Sequence, residues 1–274
     1  MTSSNRNLLV RVLTALTLLP GVLFLLFWGG WAAGALIAVA AGACAFEYAQ
    51  LTVGRLGPSQ VVSILGAAGL PLLATASPAG FAGTAFWVVA AVFYAAWIDQ
   101  LLRGPTPETP NRSAQAVTGC LYGGLGLATL AALRAGPDGL AWVIAALVIT
   151  WANDTCAYFA GRAFGRHKLY PAVSPNKTWE GFAGGFVGSI GGLFIARLIF
   201  PVLRPLDCVV LGVAGGIFGP LGDLCESMLK RAYGAKDSGV LIPGHGGILD
   251  RVDAVLFNAP VVYLYLTWFR GHLP

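Results

Sequence analysis

Near the C-terminal end of this sequence, carboxylates recur at one spacing. Asp223 and Glu226 lie three residues apart, as do Asp250 and Asp253, and on a helix that spacing puts both members of a pair on one face. Like charges so placed in a low-dielectric setting repel unless cations neutralise them. Hard carboxylate oxygens with no Cys or His cluster beside them suit Mg²⁺, which takes one or two protein carboxylates and leaves its other positions to water and phosphate. The alternative is a structural carboxylate–Arg network between helices. Lys230, Arg231, Lys236 and Arg251 surround Asp237 and the run Ile242-Pro243-Gly244-His245-Gly246-Gly247. Glycines permit turns whose N–H groups line an anion, and Lys and Arg bind phosphate as point charge and as fork. His245 taken singly reads as a turn residue with a local hydrogen bond. Neither Gly-x4-Gly-Lys-Ser/Thr nor Gly-x-Gly-x-x-Gly occurs in a strand–helix unit, which excludes the common soluble nucleotide folds.

The elements that must hold these residues are membrane helices. Of 274 residues, 57% are apolar and 11% charged, and the mean hydropathy is +0.73. That is too little polar surface to coat a water-soluble domain. About 20 apolar residues cross a bilayer, and the chain offers about nine such spans: roughly 8–28, 31–52, 60–78, 80–102, 114–133, 139–161, 179–200, 207–230 and 252–270. The runs are continuous, as in helices, and lack the alternation of a barrel. The predicted class is therefore an all-α polytopic membrane protein, with residues 1–113 carrying four helices and residues 114–274 the remaining five and the polar motifs. The first run, after Arg6 and Arg11, is long for a signal peptide and reads as an uncleaved span.

Nine spans put the termini on opposite sides. With the N-terminus cytoplasmic and the C-terminus outside, all but four of the 17 Lys and Arg residues fall inside, the exceptions being Arg134, Arg197, Arg204 and Arg270. The positive-inside rule favours that orientation. The polar loops near 162–178 and 231–251 then face the cytoplasm. The formal charge of +5 is assigned to this basic face and not to nucleic acid, since neither an aromatic-studded basic tract nor zinc spacing is present. The five cysteines occur singly in apolar stretches and read as small buried hydrophobes.

Ionisable groups at membrane depth are costly, so each calls for a reason. Glu47 and Asp99 stand alone near helix ends and read as snorkelling or hydrogen-bonded end residues. Asp154 and Glu180 gather with the C-terminal pairs. The segment Ser174-Pro175-Asn176-Lys177-Thr178 reads as a helix entry, with Thr178 the cap and Lys177 on the cytoplasmic surface. Glycines 181, 184, 185, 188, 191 and 192 make a close-packing face, either within the fold or in a homodimer.

The stretch from Ser227 through Lys230-Arg231, Lys236-Asp237, Pro243-Gly244-His245-Gly246-Gly247 and Asp250-Arg251 to Asp253 resembles the signature of the phosphatidate cytidylyltransferases. Asn153 to Arg162 and Ser174 to Gly181 resemble the same family. The likeness covers the chain from about residue 150, and Asn176 stands where Lys is expected in many members. It implies transfer of CMP from CTP to phosphatidate in phospholipid biosynthesis, with Mg²⁺ as cofactor and a second cation such as K⁺ alongside. Asp223 and Asp250 would be the metal residues. Lys230, Arg231, Lys236, Asp237 and Asp253 would be catalytic, and Ser227, Lys177, Arg251 and His245 would bind substrate. Glu226 and Asp253 would orient ligands or pair with Arg251, and Asp154 and Glu180 would border the same cavity. The implied location is the inner (cytoplasmic) membrane. Two rival readings are a CTP-dependent polyprenol kinase and a cation-coupled transporter; the transporter predicts repeated halves with interrupted helices, and no such repeat is seen.

Overall fold

A computed structural model describes residues 3–271. The termini, to which the expected N-in, C-out orientation refers, fall outside that range. The fold is that of an all-α polytopic membrane protein. Among the described residues, eight helices are long and apolar enough to cross a membrane, and they correspond to the second through ninth expected spans. An earlier helix, α1 (Ser3–Trp28), covers the first. Two compact units form: Met1–Ala135 with Tyr233–Arg251, and Gly136–Ala232 with Val252–Pro274.

The first unit holds α1, α2 (Gly30–Thr52), α3 (Pro58–Ala76), α4 (Phe81–Arg103), α5 (Thr109–Gly119) and α6 (Gly126–Ala135). A π turn at Cys120–Leu125 joins α5 to α6 in one span. Gly124 lets that turn lie against α3, where a Cβ would come within 2.7 Å of the Ala67 Cα. Pro58 opens α3, at the position where a missing N–H costs nothing, and the Gln60 side chain accepts from Gly57 N at 3.1 Å. Of the two readings of Asp99, the hydrogen-bonded end residue holds: it accepts from Ser59, through both N and Oγ, and from Arg103 Nε at 3.0 Å. Arg134 closes the unit by donating to the last carbonyls of α1, Leu26 O at 2.6 Å and Phe27 O at 2.9 Å.

The second unit holds α7 (Gly139–Phe164), a two-stranded antiparallel hairpin, α8 (Trp179–Ile199), α9 (Pro205–Ala232) and most of α10 (Leu249–Tyr265). The hairpin strands are β1 (Lys168–Tyr170) and β2 (Ser174–Thr178), within a region that reads from sequence as loop and helix entry. The glycine face of α8 packs within the fold: Gly184, Gly188 and Gly192 lie on Ala160, Cys156 and Ala152 of α7. A Cβ at any of the three would meet those atoms at less than 3 Å. Two buried amides are paired across this seam and beyond it. Asn153 donates to Ser189 Oγ at 3.1 Å, and Asn258 of α10 to Thr150 Oγ1 at 2.9 Å. Arg270 is 5% exposed and paired with Asp207 at 3.2 Å. Tyr265 donates to the same carboxylate.

Candidate functional site

In the second unit, α7, the hairpin, α8 and α9 enclose a cavity of about 660 Å³. Asn153, Asp154, Tyr158 and Arg162 reach it from α7, Asn176 and Lys177 from β2, and Asp223 from α9. Thr178 ends β2 and caps α8, its Oγ1 accepting from Gly181 N at 3.1 Å. The cap fixes where the strand stops, and so where Lys177 projects. Lys177 Nζ lies 2.7 Å from Asp223 Oδ2, while Ser227, one turn on, donates to Asp223 Oδ1 at 3.2 Å.

Asp154, Asp223 and Asp253 lie within electrostatic reach of one another, with Lys177 acting on Asp154 and Lys230 on Asp253. Lys230 also sits 2.5 Å from Glu226, which is 1% exposed. Three carboxylates, Asp154, Asp223 and Asp253, therefore lie together, while one of the two nearby lysines, Lys230, is also engaged by Glu226, a concentration of negative charge suited to a divalent cation or to basic groups on a ligand. Their donor atoms are the hard oxygens that Mg²⁺ takes. Among the described residues no three His, Cys, Asp or Glu side chains converge on one metal position.

Two expectations need correction in this unit, and a third residue gains a structural contact. Glu226 pairs with Lys230 and not with Arg251. Glu180 does not line the cavity; it accepts from Arg166 N, His167 N and His167 Nδ1, the last at 2.7 Å, and so pins the entry to the hairpin. Arg231 donates to Val173 O at 3.4 Å, bracing the hairpin turn.

The Gly-rich loop belongs to the first unit. Pro243 and Gly244, the latter at φ +75°, build a turn closed by His245 N donating to Ile242 O at 3.0 Å; Pro then Gly with positive φ is the order of a type II turn. Arg251 grips the turn, its Nε and Nη2 donating to His245 O at 3.0 and 2.7 Å. The local role read for His245 is met by its backbone, whereas its ring Nδ1 is buried without a hydrogen-bond partner among the described residues. Asp250 Oδ2 accepts from Ser238 N at 2.9 Å and Gly247 N at 3.1 Å, and lies 2.9 Å from Ser238 Oγ. Lys236 and Asp237 are exposed on the loop.

Sequence reasoning took Glu47 as a snorkelling or hydrogen-bonded end residue and did not foresee its partners. It is 1% exposed on α2 and accepts from Ser238 Oγ, Ile248 N and Leu249 N. An acid deep within an apolar run was the signal. It also missed Ser238, Tyr158 and, as a cavity residue, Arg162, which donates to Tyr158 OH at 2.8 Å.

Comparison with known proteins bears on this arrangement. The model of the cytidylyltransferase family matches residues 9–269. A phosphatidate cytidylyltransferase of Bacillus subtilis (strain 168) is 46% identical over 132 residues, 48% of this chain and 49% of that protein. Proteins of the same name are 43% identical in Brucella suis biovar 1 (strain 1330), over 54% of this chain and 55% of theirs, and in Staphylococcus haemolyticus (strain JCSC1435), over 53% and 55%. The chain spans about half the length of the curated relatives it matches.

Proposed function

The chain belongs to the cytidylyltransferase family, and from that premise we propose that it transfers CMP from CTP to phosphatidate, giving CDP-diacylglycerol and pyrophosphate. The observation that carries this reading is the cavity in which Lys177 and Asp223 meet among carboxylates inside an integral membrane protein. A phosphate oxygen of the lipid attacks the α-phosphorus of CTP, a new P–O bond forms, and the bond to the β-phosphate breaks as pyrophosphate leaves. Both reactants are polyanions, so the work lies in positioning and charge neutralisation. The nucleophile is already an anion, and a strong general base is not needed.

Lys177 and Lys230 supply positive charge at the cavity, and Arg162 lines its wall. Arg231, Lys236, Asp237, Arg251 and His245 complete the proposed set, with Lys236 and Asp237 exposed to an incoming nucleotide. Asp253, Asp154 and Glu226 set the charge of the cavity against which the lysines are held. The cofactor we propose is Mg²⁺, bound through Asp223; the family likeness gives Asp250 a metal role as well, and K⁺ is a further cation. When bound, Mg²⁺ neutralises triphosphate charge and makes the α-phosphorus more electrophilic. The basic-residue bias favours an inner-membrane protein whose site opens to the cytoplasm, where CTP is at hand and the lipid enters from the adjoining leaflet. Purified protein given CTP, phosphatidate and Mg²⁺ should release pyrophosphate in step with lipid product; no release under these conditions defeats the reading.

A further inference from the structure

A carboxylate buried in a membrane helix is costly unless it is fully bonded, and Glu47, 1% exposed, meets that condition. Its Oε1 accepts from Ile248 N at 3.0 Å; its Oε2 accepts from Leu249 N at 2.9 Å and Ser238 Oγ at 3.1 Å. Ile248 and Leu249 open α10, where backbone N–H groups have no intrahelical acceptor and the helix dipole favours a negative charge. Glu47 therefore caps α10 from a helix some 200 residues earlier in the chain. Ser238 carries the network on to Asp250, its N and Oγ each 2.9 Å from Oδ2. Gly239 and Gly247 leave the space that the Glu47 carboxylate fills.

We infer that Glu47 is a positioning residue for the Gly-rich loop, one that fixes the Asp250 carboxylate through Ser238; the catalytic part of this inference rests on the cytidylyl-transfer reading. A residue needed only for folding would lower stability and leave the metal requirement of the folded protein alone. A positioning residue changes that requirement. Gln in place of Glu keeps the size but turns an N–H₂ donor toward backbone N–H donors, so one of the three bonds is lost and the pocket stays filled.

The test compares the full-length wild type with Glu47→Gln, Glu47→Ala and Ser238→Ala in two measurements. In metal-free protein, hydrogen exchange should speed up at Ile248 and Leu249 in Glu47→Gln while α7 and α8 exchange at the wild-type rate. In the transfer assay, the Mg²⁺ concentration for half-maximal rate should rise by about 10–100-fold, with the KM for phosphatidate unchanged; Ser238→Ala should shift it less in the same direction. Should Glu47→Ala fail to fold, Glu47→Gln decides. Unchanged exchange at the loop, or faster exchange with an unchanged Mg²⁺ requirement, overturns the inference. A wild type that transfers nothing sinks the functional reading instead, and the metal-free exchange still judges the anchor.

Discussion

Two groups of acids, one in each unit, are treated in opposite ways. In the first, Glu47 and Asp99 are met by hydrogen-bond donors: backbone N–H groups and a hydroxyl for Glu47, Ser59 and Arg103 for Asp99. In the second, Asp154, Asp223 and Asp253 are set within reach of one another and of lysines. A carboxylate saturated by backbone donors holds structure in place. Carboxylates opposed to each other store repulsion that a ligand or metal relieves, and such stored cost marks binding and catalytic sites. Asp250 has a foot in both classes, since its Oδ2 is held by Ser238 and Gly247 while the family likeness gives it a metal role.

Mutations at the two kinds of acid should therefore separate activity from stability. The largest effect expected is at Asp223→Ala, which should lower the transfer rate by about 10²–10³-fold with the unfolding midpoint in detergent little changed; retained activity would remove Asp223 from the site. Asp253→Asn should lower the rate by about 10–100-fold and leave the midpoint equal or higher, because a like charge leaves the cluster. A fall in the midpoint would place Asp253 with the structural acids. At Asp99→Asn the order reverses: stability should drop by about 1–3 kcal/mol, read by denaturant or heat, with the activity of the folded fraction retained. The smallest effect is at Thr178→Ala, where loss of the α8 cap should cost about 1 kcal/mol and displace Lys177 enough to raise the KM for CTP.

The membrane helices were legible because hydropathy alone specifies them: every span from the second on appears in the structure close to its expected bounds. Thr178 as a cap and the packing face of α8 were legible for local reasons, a hydroxyl before an apolar run and glycines at helical spacing. The hairpin was not, since strands of three and five residues carrying Lys, Pro and Asn show no alternating pattern. Glu47 was misread as a lone end residue because its partners lie 191 to 202 positions away, and nothing in a linear reading joins them. The pairing of Glu226 was misread: Arg251 was expected, and Lys230, one turn on along the same helix, is the partner.

The central claim, that a nucleotide's α-phosphate passes to a lipid head group at these residues, is tested most directly by isotope position. Purified protein with Mg²⁺ and phosphatidate is given CTP labelled in either the α- or the γ-phosphate. The account predicts α-label in the lipid product and γ-label only in released pyrophosphate, with both lost in Asp223→Ala. Label from the γ-phosphate in the lipid would contradict it and point to a CTP-dependent kinase.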